Sequence, residues 1–314
     1  MKYLRYRIPF NLIHERARNY KNLIIYIDLN SIARGFYNRE VILYELSSYI
    51  ETRKMPQLLI TELKEFLNNL YSSFKHLNPK FCIFYDTGQC VQNKNISGSY
   101  KVNRTNESKS YINTDEEREL YYQIKDYYFE EIPNQFNKKN LCKIVSLKEY
   151  ESDFVPYYFI KKYGFAQEPD TLNLILSVDK DLLQCCQFPN TIQAISIYIK
   201  SQSRIESLIY DDLNSVQYIS KKFEPDGIIT SKYIPLILAL AGDKQDGVDG
   251  IKKGLGIVSA IKLIKLYDIP HDFNSTYTLP LDLQQYKLKL QSNLSMVSFD
   301  RQIERVPKSV LDKI

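Results

Sequence analysis

Histidine and cysteine are scarce in this chain of 314 residues: three of the first (His14, His76, His271) and five of the second (Cys82, Cys90, Cys142, Cys185, Cys186). The histidines are widely scattered and the cysteines have no zinc-like spacing, which argues against a nitrogen- or sulfur-ligated zinc site. Three of the cysteines lie in apolar surroundings, as reduced core residues of a cytosolic protein do. No Ser/His or Cys/His set reads as a nucleophile with its base, so covalent catalysis is not indicated. No apolar run is long enough to span a bilayer. The basic start, Met1-Lys-Tyr-Leu-Arg-Tyr-Arg-Ile-Pro9, lacks the apolar stretch and cleavage site of a secretory signal, so a cytoplasmic location is expected. Internal repeats are absent.

The composition is that of a soluble globular protein, 44% hydrophobic and 25% charged, and the length suits one large domain or a domain with an annex. Acids are where the chain becomes informative. In Ser177-Val-Asp-Lys-Asp-Leu-Leu-Gln184, two carboxylates follow the apolar run Leu172-Asn-Leu-Ile-Leu176, which reads as a buried strand. Asp179 and Asp181 are therefore expected at the carboxyl edge of a sheet, where open α/β folds place their ligands. Such a pair of like charges raises each other's pKa unless a cation neutralises it.

The arrangement recurs. Lys21-Asn-Leu-Ile-Ile-Tyr-Ile-Asp28 and Lys80-Phe-Cys-Ile-Phe-Tyr-Asp86 are apolar runs ending in aspartate, and Leu236-Ile-Leu-Ala-Leu-Ala-Gly-Asp243 ends in Gly-Asp with Asp246 three residues on. Glu151 and Asp153 open a segment that reads as a helix. A single strand-end aspartate is ordinary turn chemistry. Eight acids, six of them closing or just following apolar segments, point to one oxygen-ligand site for Mg²⁺ or Mn²⁺. Setting those eight aside leaves 29 acids against 42 Lys and Arg, a surplus of 13 where the whole chain has +5. An acidic pocket in a basic exterior suits a phosphodiester substrate, although composition alone fits a merely solvated basic surface equally well.

Along the chain, strands are expected at 23–28, 81–85, 142–147, 172–178 and 191–199, with helices at 41–50, 56–76, 151–163 and 180–186. This alternation predicts an α/β fold with a mainly parallel central sheet flanked by helices. Residues 87–113 are a polar excursion, ended by the capping-box pattern Thr114-Asp-Glu-Glu117. From Asp226 the character turns helical, with a glycine turn at Lys253-Gly-Leu-Gly256 and a last helix at 281–296.

Taken in chain order, Ile27-Asp-Leu-Asn30, Phe84-Tyr-Asp86, Tyr100-Lys-Val-Asn-Arg104, Tyr150-Glu-Ser-Asp153, Ser177-Val-Asp-Lys-Asp181 and Gly242-Asp-Lys-Gln-Asp246, followed by Gly250 and Gly254-Leu-Gly256, resemble the metal-dependent 5′-nuclease superfamily. That group comprises flap endonucleases, the 5′→3′ exonuclease domain of bacterial DNA polymerase I and stand-alone phage exonucleases. The resemblance covers roughly residues 22–305, and the short layout is most similar to the phage members.

The resemblance implies a PIN-like or resolvase-like nuclease core at 22–225, with a mobile helical arch inserted at about 87–130. A helical helix–hairpin–helix region would follow at 226–314, and an N-terminal extension precede at 1–21. Two or three Mg²⁺ or Mn²⁺ ions would be held by Asp28, Asp86, Glu151, Asp153, Asp179 and Asp181, with Asp243 and Asp246 completing the site. Lys101 and Arg104 would be catalytic, holding the scissile phosphate diester. Tyr100, Lys109, Arg118 and Lys125 would contact single-stranded DNA, with Tyr111, Tyr121 and Tyr122 available to stack bases. Lys252, Lys253, Gly254 and Gly256 would grip duplex backbone, with K⁺ as a further ion there.

The implied activity is a structure-selective 5′→3′ exonuclease and flap endonuclease, monomeric, in replication or repair, in host cytoplasm if phage-encoded. Its partners would be DNA with a 5′ flap or recessed 5′ end, RNA–DNA hybrids and replication proteins. Phe154 stands where bacterial and phage members usually carry an acid, Gly247 and Asp249 replace a usual Asn and Pro, and one residue is added at Lys252-Lys253. Two other readings stay open: a PIN-type ribonuclease, and a catalytically silent protein that binds branched DNA.

Overall fold

Alternation within two strands organises the molecule. In β1 (Asn22–Asp28), Leu23, Ile25 and Ile27 pack into one core while Tyr26 packs into another. In β4 (Thr171–Leu176), Leu172, Leu174 and Leu176 join the first core and Ile175 the second. Side chains of successive strand residues point to opposite faces, so a strand covered on both faces reads as a continuous apolar run. The computed structural model describes residues 8–31, 52, 57–86, 95–96, 142–147, 149–164, 168–199, 204–273 and 277–314. The helix expected at 41–50, and nearly all of the excursion expected as an arch at 87–130, lie outside the described residues.

The sheet has six strands in the order β3-β2-β1-β4-β5-β6, with β2 at Lys80–Asp86, β3 at Cys142–Leu147, β5 at Thr191–Ile199 and β6 at Arg204–Tyr210. All neighbours are parallel except β5 and β6. The chain builds outward from β1 through β2 to β3, then returns to β1's other side for β4. This makes β1 and β4 the switch point of the topology, and the crevice beyond their carboxyl ends is the place such sheets offer to a ligand. The mainly parallel sheet expected from the sequence is the one observed.

Helices cover both faces. Against the first lie α1 (Phe10–Ala17), through Ile13 and Ala17, and α2 (Gln57–Phe74), through Phe66, Leu67, Leu70 and Phe74. Residues within the N-terminal 1–21 thus share the core of β1. The second face takes α3 (Val155–Phe159) together with Phe299, Val306 and Ile314 from the chain's end. A third core is helical, built from α4 (Ile234–Ala241), α5 (Ile257–Tyr267), α6 (Leu281–Gln284) and α7 (Lys287–Val297).

Two expected helices differ. The one expected from 151 begins only at Val155. A start at 151 would put Pro156 in the second turn, where it has no N–H to give and its ring meets the Ser152 carbonyl; instead Ser152 O accepts from Val155 N–H at 3.0 Å. The segment expected as a helix at 180–186 is a 3₁₀ helix, Asp181–Gln187. Its burial explains why: Leu182 and Cys185 face the second core while Leu183 and Cys186 face the third. A period of three aligns residues i and i+3, as the 3₁₀ form does.

Between α4 and α5 the chain makes a small hairpin of β7 (Gly242–Asp243) and β8 (Val248–Asp249). Gly242 has φ +85° and a Cβ there would lie 2.3 Å from Gly250 N, so no other residue fits. Gly247 has φ +71°, a region that Asn also tolerates. Gly242→Ala should destabilise the protein by on the order of 3 kcal/mol. Gly254→Ala, at φ +82° but with nothing within 4 Å, should cost only about 1 kcal/mol. Urea denaturation of both variants checks that order.

Candidate metal centre

The acids reach one edge of the sheet by different routes. Asp28 is the last residue of β1 and Asp86 the last of β2. The register pairs Asp28 with Phe84, so Asp86 projects two residues further along. Asp179 and Asp181 follow the end of β4, Asp243 lies in β7, and Asp246 in the turn between β7 and β8. Glu151 and Asp153 precede α3 in a loop. That loop is fastened to β2: Ser152 donates its N–H to Asp86 Oδ1 and its hydroxyl to Tyr85 O, each at 2.7 Å.

The loop after β4 is held as firmly. Ser177 donates its hydroxyl to Asp28 Oδ2 at 2.7 Å, and the Ser177 Oγ itself accepts the Asp179 N–H at 3.0 Å. Asp179 Oδ1 in turn accepts the Asp181 N–H at 3.0 Å. Gln193 of β5 donates to the carbonyls of Ser177 and Asp179 at 3.1 and 2.8 Å. On the helical side, Asn293 of α7 donates to Ala239 O and Asp249 O, both at 2.8 Å, pinning the end of α4 and the hairpin that carries Asp243. Gln184 joins the two sides, donating to Val297 O and accepting from Phe299 N–H.

Asp181, Asp243 and Asp246 each offer a carboxylate oxygen, and these lie within 4.8 Å of one another. Asp28, Glu151, Asp243 and Asp246 are buried. Burial pushes the Asp28 carboxyl up; hydrogen bonds from Ser177 and Ser31 pull it back, and the charges of Asp179 and Asp86 push it up again, to about 6. Asp181 is raised well above the usual carboxylate range, first by burial, then by the charges of Asp179, Asp246 and Asp243. Asp28 and Asp181 therefore both feel the charge of Asp179.

A divalent cation fits here. The donors are all oxygens, as hard cations require, and Asp181 Oδ1 is buried with no hydrogen-bond partner among the described residues. Such an orphaned anionic oxygen is costly unless a cation takes it. One cation is already present: Lys180 Nζ stands 2.6 Å from Asp243 Oδ2.

Of the remaining expected residues, Tyr100, Lys101, Arg104, Lys109, Arg118 and Lys125 lie outside the described residues. Lys252, Lys253, Gly254 and Gly256 form an exposed turn before α5, whose N-terminus at Gly256 has no side-chain cap. Phe154, which the resemblance set where an acid was expected, is 1% exposed and packs in the second core. The residues that fasten the centre (Ser152, Lys180, Gln193, Asn293) were not singled out from the sequence. Ser152, Ser177 and Lys180 sit between acids of the motifs themselves or beside them; nothing local marks Gln193 or Asn293.

No protein-family model matches the sequence, and comparison with curated proteins finds no significant match. Solved structures do match. A bacteriophage T5 flap endonuclease, in a pseudo-enzyme–product complex with DNA and metal ions, superposes with a TM-score of 0.62 at 17% identity, covering 93% of this chain and 96% of that one. The zinc-bound T5 5′-exonuclease gives a TM-score of 0.59 at 19% identity over the same shares, 93% and 96%. The protein has the phage 5′-nuclease fold, as its motifs led one to expect.

Two predictions follow from the electrostatics. The Asp28 carboxyl holds its proton in the fold up to about pH 6 but gives it up near its ordinary 3.8 when unfolded. Its contribution to stability therefore falls as pH rises through that window and stays low above it. Mg²⁺ should accordingly raise the melting temperature more above pH 6 than below pH 5, where a metal must displace protons; thermal melts with Mg²⁺ and with chelator across that range check it. Phe154→Asp should not restore a ligand. It should bury an unpaired charge and cost about 3–5 kcal/mol, read from denaturant midpoints.

Proposed function

We propose that this chain is a divalent-metal-dependent 5′-nuclease that hydrolyses phosphodiesters of DNA at 5′ flaps and recessed 5′ ends. The observation that carries the reading is the cluster of Asp181, Asp243 and Asp246 carboxylates, with Asp28 bonded to Ser177 just past β4 and Asp86 to Ser152, at the switch point of a sheet whose fold is that of a phage flap endonuclease. Divalent ions bound there supply activation of water and neutralisation of the departing 3′-oxygen.

The chain's own residues do the positioning. Ser177 and Gln193 hold the Asp179–Asp181 loop, Ser152 holds the Glu151–Asp153 loop against Asp86, and the hairpin glycines carry Asp243 and Asp246 to the same edge. Lys101 and Arg104 are assigned by their place in the motif order to the scissile phosphate, and Tyr100, Lys109, Arg118 and Lys125 to the single strand. Lys252, Lys253, Gly254 and Gly256 meet the duplex backbone, where exposed N–H groups at the start of α5 favour a phosphate. RNA–DNA hybrids are substrates of the same chemistry, and a role in replication or repair follows from it.

The test is a 5′-flap duplex and its recessed-end counterpart, each labelled at the 3′ end of the strand to be cut. Cleavage should require Mg²⁺ or Mn²⁺, stop with chelator, and fall by at least about 100-fold in Asp179→Asn while the variant stays folded. Tight flap binding without cleavage under either ion contradicts the reading and leaves a binding protein.

A further inference from the structure

Lys180 lies between the two aspartates of the loop after β4, with its side chain only 21% exposed. Its ammonium is 2.6 Å from Asp243 Oδ2 and 3.4 Å from Gln245 Oε1. A lysine side chain is a compact ammonium cation, so a positive charge stands within the acid cluster. It makes that contact beside the three carboxylates Asp181, Asp243 and Asp246. A divalent ion on the same Asp243 oxygen, at its usual ~2.1 Å, would stand within about 5 Å of the ammonium, where two cations repel strongly at low dielectric. On that oxygen the lysine and an ion would therefore compete.

We propose that Lys180 is a built-in counter-ion that occupies Asp243 in the metal-free protein and must leave it for a divalent ion to enter, thereby setting the metal concentration at which this end of the centre fills. The inference rests on the metal-dependent reading of these carboxylates, and not on whether DNA is cut. Two features support exchange in place of a permanent ion pair. The lysine leaves Asp181 Oδ1 without a partner among the described residues, so it satisfies the cluster only in part. Its flexible stem starts from a loop at the rim of the site, so the ammonium can turn outward without moving the strands. One positive charge against three carboxylates holds the empty cluster together while leaving it in deficit.

The experiment titrates MgCl₂ into the full chain, the Lys180→Met variant, Asp243→Ala and the double variant, following heat of binding and melting temperature. Lys180→Met should bind Mg²⁺ about ten-fold more tightly and, in chelator, melt at least about 3 °C lower. In the Asp243→Ala background the same substitution should change affinity little, because the shared oxygen is gone. A Lys180→Met protein that binds Mg²⁺ more weakly or equally would overturn the proposal, since the lysine would then position the ligands or stand apart from them. A variant that folds only with Mg²⁺ supports it; one that folds in neither condition contradicts it, because the metal-loaded protein would then need the ammonium too. Loss of DNA cleavage with the tighter binding intact would bear on the nuclease reading alone.

Discussion

Like charge held against like charge, at one edge of a parallel sheet, is the constraint around which this molecule is arranged. The topology brings the ends of β1, β2 and β4 together at the switch point, and each contributes an aspartate at or just past its end. Burial then raises the cost: Asp28 is pushed to about 6 and Asp181 well above the usual range. A fold that assembles such a site invests stability in it, and the surrounding hydrogen bonds serve mainly to keep the carboxylates from separating.

Those supports come from everywhere but the strands that carry the acids. Ser152 ties one loop to β2, Gln193 reaches from β5 to the loop after β4, and Asn293 reaches from α7 to the hairpin. The buried Gln184 bonds to the main chain of the C-terminal segment in both directions, so the second and third cores meet through it. The helical region is thus fastened to the sheet next to the acids. Substitutions in α7 can reach the centre through this path without touching a ligand.

Much of the fold was legible because burial on both faces leaves apolar runs, as in β1 and β4, expected at 23–28 and 172–178 and observed at Asn22–Asp28 and Thr171–Leu176; the strands expected at 142–147 and 191–199 are also observed. Edge strand β6 was not read, since Arg204-Ile-Glu-Ser-Leu-Ile-Tyr210 is mixed in character, with residues 206–209 half-buried, and owes its form to antiparallel pairing with β5. The 3₁₀ helix at Asp181–Gln187 looked like an ordinary helix because its period of three shows only when two cores are known to flank it. The acids were legible from order and spacing. Their supports were not: Ser152 meets a residue 66 positions away and Asn293 one 44 away, and no local pattern encodes such a meeting. Phe154, noted in the sequence as standing where an acid is usual, is buried in the second core, a role that its local sequence does not reveal.

The central claim is that these carboxylates form one divalent-metal centre. Anomalous diffraction from crystals of the full chain soaked in Mn²⁺ tests it directly. The account predicts peaks within coordination distance of Asp181, Asp243 and Asp246 and of the group around Asp28 and Asp86, with the Lys180 ammonium turned away from Asp243. Anomalous density confined to the protein surface, with Lys180 still on Asp243, would contradict it.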